Sequence, residues 1–248
     1  MGSVKQSTKA ILRTVLGLEV FRSRDLPPSA VQVITMHLGF SLQQFGIDLV
    51  LDVGANTGQF ACEIRQGGYT GRIVSFEPLS HAHSKLLLSS AKDSMWEVYP
   101  RCALGDHNGE IEINIAGNSL SSSILPMLES HESAAPESKY EGKEIVPIKT
   151  LNTVAGQYLK EAKAPFLKID TQGFEWLVLD GARDILPRIK GISVELSLVR
   201  LYEGQHLWRE VIDRLEAEGF TLWALIPGFS DRLSGRSLQV DGIFYRNP

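Results

Sequence analysis

Two strand-end carboxylates, an acid before a proline and a glycine-spaced turn are the residues of this chain best placed to do chemistry. Asp170 closes the apolar run Phe166-Leu167-Lys168-Ile169, and Glu195 closes the run that begins at Ile192. Open α/β sheets bind ligands at the carboxyl ends of their strands, so both acids belong at a ligand-facing edge. Three chemistries are open to Asp170 there: holding an ammonium group, taking a hydroxyl proton as general base, or binding a metal. With Glu195 and His206 it would form a hard oxygen and imidazole set suited to Mg²⁺ or Mn²⁺. His206 is also a candidate base, because imidazole titrates near neutrality. Upstream, Asp52-Val53-Gly54-Ala55-Asn56-Thr57-Gly58 follows the apolar run Ile47–Leu51, and Glu77 ends the next apolar run before Pro78. Such a turn presents backbone N–H groups to a ligand, and a carboxylate at the position of Glu77 can take both hydroxyls of a ribose.

The glycines do not form the dinucleotide fingerprint G-x-G-x-x-G, because Asn56 and Gln59 stand at its second and third glycine positions. An acid before G-x-N-x-G is instead the turn favoured by enzymes that use S-adenosylmethionine (SAM), a ligand without a pyrophosphate. On this reading Asp52, Gly54, Asn56, Gly58 and Glu77 hold the cofactor. Ala103 and Leu104 flank its adenine, since aliphatic side chains suit a flat heterocycle, or serve ordinary core packing, or both, and Asp170 stands at its reacting end. The alternative for each glycine is a left-handed turn required only by strand-to-helix geometry. Glu175, five positions beyond Asp170, is divided between a site role and charge complementarity with a helix N-terminus. Ser121, Ser122 and Ser123 lack the partners of a nucleophilic serine and fit better as hydroxyl donors in a mobile loop.

The elements that must position these residues read as an alternation of short apolar runs and helical stretches, the pattern of a parallel sheet with crossovers. Strands are expected at Leu49–Val53, Arg72–Phe76, Glu97–Pro100, Phe166–Ile169, Ile192–Leu196, Phe220–Leu225 and Gly242–Tyr245. Helices are expected at Gly58–Gln66, Ser80–Ser90, Phe174–Asp180 and Leu207–Glu218, and Glu110–Ala116 alternates like a half-buried strand. Ser119–Glu144 is the least regular stretch, and a loop of that length is either a lid or disordered. Residues 1–45 read as an N-terminal helical extension and 46–248 as the catalytic domain. In the extension, Ser29 caps a helix carrying Val31, Ile34, Leu38, Leu42 and Phe45 on one face. The basic, partly apolar stretch Val4–Arg24 fits an amphipathic helix that either packs on the domain or lies on an anionic membrane surface. It is too short to cross a bilayer and lacks a cleavage site.

The 248 residues suit one α/β domain with additions, and a net charge of -4 supplies no footprint for nucleic acid. The two cysteines, Cys62 and Cys102, without a secretory leader, read as reduced thiols of a cytoplasmic protein.

Several separated blocks together resemble the FkbM family of SAM-dependent O-methyltransferases. They are Leu51-Asp52-Val53-Gly54-Ala55-Asn56-Thr57-Gly58, Ser75-Phe76-Glu77-Pro78, Ala103-Leu104-Gly105-Asp106, Lys168-Ile169-Asp170-Thr171-Gln172-Gly173-Phe174-Glu175, Val194-Glu195-Leu196-Ser197 and Leu201-Tyr202-Glu203-Gly204. The likeness runs from about Val50 to Tyr245 and departs at Leu151-Asn152, where the family commonly has Leu-Asp. It implies a Rossmann-like fold with a mostly parallel seven-stranded sheet, helices on both faces and an antiparallel last strand. It also implies methyl transfer from SAM to an oxygen, commonly a hydroxyl of a sugar on a glycolipid or secondary metabolite. Tyr202 falls near the expected acceptor mouth, whereas Trp176, Trp208 and Trp223 are expected to serve packing. The rival readings are a nicotinamide-dependent oxidoreductase on a similar sheet and a SAM-binding protein without activity.

Overall fold

The computed structural model describes residues 38–246. Val4–Arg24 and the first part of the Ser29–Phe45 helix, with Val31 and Ile34, lie outside the described residues. The described part of that helix, 38–44, buries Leu38 and Leu42. It is fastened to the last strand: Ser41 Oγ lies 2.8 Å from the Tyr245 hydroxyl, and the Phe45 ring stacks on Tyr245 at 3.8 Å.

Along the chain the strands are β1 (Leu49–Val53), β2 (Arg72–Phe76), β3 (Trp96–Val98), β4 (Ala103–Leu104), β5 (Gly109–Ala116), β6 (Tyr140–Lys149), β7 (Pro165–Ile169), β8 (Gly191–Ser197), β9 (Thr221–Pro227) and β10 (Gln239–Tyr245). Seven of them form one sheet in the order β3-β2-β1-β7-β8-β10-β9. The first five in that order run parallel, and β10 is antiparallel to both β8 and β9. Every residue of β1 and β7 is buried, which is why both read as unbroken apolar runs rather than alternating ones. Side-chain alternation divides β1 between two cores: Leu49, Leu51 and Val53 join the helices Glu175–Asp180 and Trp208–Ala217, while Val50 faces Ala61 and Ile64 of the helix Gln59–Gln66.

A second, three-stranded sheet, β4-β6-β5, departs from the sequence expectation. The Ser119–Glu144 stretch is neither wholly loop nor disordered: it contains the helix Glu129–Ala134 and the beginning of β6. Gly142, Pro147 and the acids of β6 hide it from sequence patterning, and antiparallel pairing with β5 from Gly109↔Ile148 to Ala116↔Tyr140 creates it. The helix also buries His131, whose Nδ1 has no hydrogen-bond partner and whose ring packs edge-on against Tyr202 at 5.2 Å.

The feature that builds the site is register. Val53 lies beside Phe76 on one side and Ile169 on the other, so Gly54, Glu77 and Asp170 leave the sheet at one common edge. The turn is then drawn tightly across it: the N–H groups of Gly54 and Ala55 both donate to the Phe76 carbonyl, and Asp170 N–H donates to the Val53 carbonyl at 3.1 Å. Gly54 has φ +73, and a Cβ there would sit 1.8 Å from the Asp170 carbonyl oxygen. Glycine is therefore required twice over, by conformation and by space. Gly54→Ala should cost about 2–4 kcal/mol, read by urea unfolding. Gly156→Ala, at a position with nothing within 4 Å of the added carbon, should be neutral or mildly stabilising; equal losses at the two positions would contradict the close-approach account.

Candidate functional site

Two cavities meet at this edge. The narrower, of about 80 Å³, has Gly54, Asn56 and Glu77 on one side, the aliphatic Leu79, Ala103, Leu104 and Ile113 around a slot, and residues 119–124 and Asp170–Gln172 closing it. The wider, of about 380 Å³, shares Gly54, Asn56, Leu120 and Asp170 with the first. It continues over the sheet face past Phe60, Glu63, Lys168, Ser193 and Asp241. Among the described residues, Asp170 is the one carboxylate that lines both.

Each acid has its own environment. Glu77 is buried in the wall; its Oε2 accepts from Asn56 N–H and its Oε1 from Leu79 N–H, both at 2.8 Å. Burial outweighs these two bonds and pushes its carboxyl up to about 7. Asn56, at φ 46, is locked by that bond and by its own Oδ1, which accepts from Thr57 N–H at 2.9 Å. Glu175 organises the loop after β7: its Oε1 takes the N–H groups of Thr171 and Gly173, each at 3.0 Å. Burial raises it, too, to about 7. It lines neither cavity, and turn stabilisation accounts for it. Glu195 lines neither cavity and is joined to Asp170 through Gln172. Gln172 Nε2 donates to Asp170 Oδ1 and to Glu195 Oε2, both at 2.9 Å, and Gln239 Nε2 donates to the same Glu195 oxygen at 2.6 Å. Burial, together with the nearby Asp170, Glu175 and Asp241, holds Glu195 well above the carboxylate range.

The geometry places Asp52, Gly58, His206 and Tyr202 outside both cavities. Asp52 is fully buried behind the turn and offers no surface to either cavity. Its Oδ2 accepts from Ser75 Oγ at 2.9 Å, and its Oδ1 makes no hydrogen bond and has the Lys168 ammonium at 3.4 Å. Gly58 also lies outside both cavities. It starts the helix Gln59–Gln66 at φ +93, and a Cβ would meet the Trp96 ring at 2.6 Å. His206 stacks on Trp176 at 4.0 Å and bonds Glu210, so it does not reach Asp170 or Glu195. Among the described residues no group of three or more His, Cys, Asp or Glu is arranged to hold a metal ion, and the Asp170–Glu195–His206 set is not assembled. Tyr202, expected at the mouth, is wholly buried, with its hydroxyl 2.8 Å from Gln172 Oε1. Asn152 exchanges hydrogen bonds with Asp184, away from both cavities.

Gly54, Asn56, Glu77, Ala103, Leu104 and Asp170 are brought together around the narrow cavity. Sequence patterning missed Lys168 and Gln172, although a lysine inside a buried apolar run was a visible signal. The Lys168 ammonium lies 3.4 Å from Asp52, 3.5 Å from Asp170 and 3.0 Å from the Gly54 carbonyl. Burial alone would lower its pKa, but the carboxylates of Asp170, Asp52 and Asp241 overcome that and hold it above its ordinary value.

A mostly parallel seven-stranded sheet whose antiparallel strand is inserted inside its last edge, with the turn after β1 and the acid after β2 at one cavity, is the Rossmann-like fold of SAM-dependent methyltransferases. The chain belongs to the FkbM methyltransferase family, whose model, described as the methyltransferase FkbM domain, matches residues 52–222. No curated protein matches the chain. Among solved structures it is similar to magnesium protoporphyrin IX methyltransferase from Synechocystis PCC 6803 with bound SAM, at 10% identity and TM-score 0.46 over 98% of this chain and 97% of that one. It is also similar to precorrin-6y C5,15-methyltransferase from Geobacter metallireducens, at 12% identity and TM-score 0.45 over 92% and 94%. A third, fibrillarin from Aeropyrum pernix with natively bound SAM, matches at 12% identity and TM-score 0.41 over 79% and 66%.

Removing the Lys168 charge leaves Asp52 buried without compensation. Lys168→Met should lower stability by about 3–5 kcal/mol in denaturant unfolding, and adding Asp52→Asn should return part of it. Losses that simply add would show that the two charges do not depend on each other.

Proposed function

We propose that this protein transfers a methyl group from SAM to a hydroxyl oxygen of a sugar carried on a glycolipid or a secondary metabolite. The observation that carries this reading is the position of Asp170, among the described residues the single carboxylate common to the narrow cavity and the wider one beside it. The donor set fits the cofactor. Glu77 offers a carboxylate to a ribose diol, the slot lined by Leu79, Ala103, Leu104 and Ile113 suits an adenine, and Asn56 and Gly54 border the path toward Asp170. When bound, SAM supplies an activated methyl group on a sulfonium. What remains for the chain is to orient the acceptor oxygen and to take its proton, and we assign both tasks to Asp170.

The wider cavity supports a small acceptor. Phe60, Ile226 and Ile243 give it an apolar wall, while Ser193, Lys168, Asp241 and Glu63 give it a polar one. Three acids against one ammonium disfavour an acceptor with negative charge, which argues against a nucleic-acid substrate. The apolar wall and the ring of acceptors suit the CH face and hydroxyl rim of a sugar.

Titration with S-adenosylhomocysteine should give a saturable one-site heat. A ribose diol donates to the ionised form of Glu77, and burial holds that carboxyl at about 7. Affinity should therefore rise with pH up to 7 and level off above it, with roughly a tenfold loss per pH unit below the midpoint. Glu77→Gln should bind more weakly at pH 8 and lose the dependence; a flat wild-type profile would remove Glu77 from the ribose. For the chemical step, Asp170→Asn should lower methyl transfer to a glycoside acceptor by about 10²–10⁴. Transfer at the wild-type rate would refute the proton-accepting role.

A further inference from the structure

The charges around the wider cavity do not balance. Its floor is a sheet face on which Lys168 of β7 lies beside Ser193 of β8, and Ser193 beside Ile243 of β10. Two positions along the same strands, Asp241 of β10 pairs with Glu195, whose Oε2 is taken by Gln172 and Gln239. Glu63 lines the cavity from the helix Gln59–Gln66.

The ammonium of Lys168 is already committed. It lies 3.0 Å from the Gly54 carbonyl oxygen and 5.6 Å from the centre of the Phe60 ring. Its charge is taken up by Asp52 and Asp170, at 3.4 and 3.5 Å. Asp241 and Glu63 have no such partner: among the described residues neither carboxylate makes a hydrogen bond or an ion pair. Burial and the nearby Asp170 outweigh the pull of Lys168 and raise Asp241 to about 7. Ser193 gives a second sign of a ligand. It is only 5% exposed and lines this cavity, yet its hydroxyl makes no hydrogen bond among the described residues. A buried hydroxyl left so is destabilising until a polar group binds it.

Among the described residues no group of three or more His, Cys, Asp or Glu is arranged to hold a metal ion, so the counter-charge these acids fit is an organic cation. β8 separates β7 from β10, which puts Asp170 and Asp241 about two strand spacings, roughly 10 Å, apart. One saturated ring with a hydrogen bond at each end fits that gap, with Ser193 on the strand between.

On the sugar-acceptor reading given above, on which this rests, we propose that the acceptor is an amino sugar whose ammonium lies between Asp241 and Glu63 while a ring hydroxyl meets Ser193 and the hydroxyl to be methylated faces Asp170. Asp241 and Glu63 are then specificity-determining residues. A neutral sugar leaves both carboxylates uncompensated, whereas an ammonium gives them charge-assisted hydrogen bonds. Held as an ammonium, the nitrogen has no lone pair to accept the methyl, so transfer falls to the oxygen at Asp170.

The test uses the full chain saturated with S-adenosylhomocysteine and methyl glucosides that carry a primary amine at carbon 3, 4 or 6. Each amine is compared by calorimetry with its N-acetyl derivative and with methyl glucoside, at low salt and about pH 7.5, where Asp241 is chiefly ionised. At least one amine should bind about 10- to 100-fold more tightly than both neutral sugars, the scale of hydrogen bonds to a charged group. Asp241→Asn should remove most of that preference, and Glu63→Gln, at an exposed helix position, a smaller part. If Asp241→Asn does not fold, the wild-type ratio and Glu63→Gln still decide. Neutral sugars that bind as tightly as every amine, or a preference unchanged in these variants, would overturn the amino-sugar assignment and leave a sugar acceptor in place. Folded, S-adenosylhomocysteine-bound protein that takes none of the glycosides would overturn the sugar-acceptor reading, and this assignment with it.

Discussion

One buried ammonium holds the ligand-binding edge together. Lys168 reaches from β7 to the carbonyls of Val53 and Gly54 and to the carboxylates of Asp52 and Asp170. Burying an ion costs several kcal/mol unless it is paired and hydrogen-bonded, so a lysine in the middle of a sheet is tolerable only with such partners. In return the partners are fixed: Asp52 can remain in the core, the Gly54 turn is tied to the strand beside it, and Asp170 emerges at a defined height. The absence of a side chain at Gly54 is the other half of this arrangement, since it allows the turn to lie directly on the Asp170 carbonyl.

Around that anchor the site separates its acids by task. Glu77 is buried in the wall and bonded to two backbone N–H groups, which fixes its carboxylate. Glu175 folds the loop after β7, and Glu195 is half-buried and bonded to Gln172. Among the described residues, only Asp170 remains with its carboxylate at the meeting of the cavities. Such a division suits methyl transfer, because the donor arrives already activated and the protein has chiefly to align two reactants and receive a proton.

Much of the fold was legible in the sequence. β1, β2 and β7 read correctly because strands buried on both faces are continuous apolar runs with turns at their ends. The cluster of Gly54, Asn56, Glu77 and Asp170 was legible because each follows such a run, and parallel strands deliver their ends to one edge. β6 was not, since Tyr140–Lys149 carries few strand-forming signals and exists through its pairing with β5. Nor was the disposition of His206, whose ring is held by Trp176 rather than by the acids it was grouped with. Asp52 and Gly58 lie inside a ligand-like motif yet serve the core, one beside Lys168 and the other against Trp96.

The sequence by itself determined the class of sheet, the turn that needs glycine, and which acids lie at strand ends. These are encoded within a few consecutive residues, by side-chain period and by φ. Tertiary structure alone decided which of those acids face a cavity, which are neutralised by Lys168, and that Gln172 would bridge Asp170 and Glu195. Those outcomes depend on strand register and on desolvation, and both arise between residues that are distant along the chain.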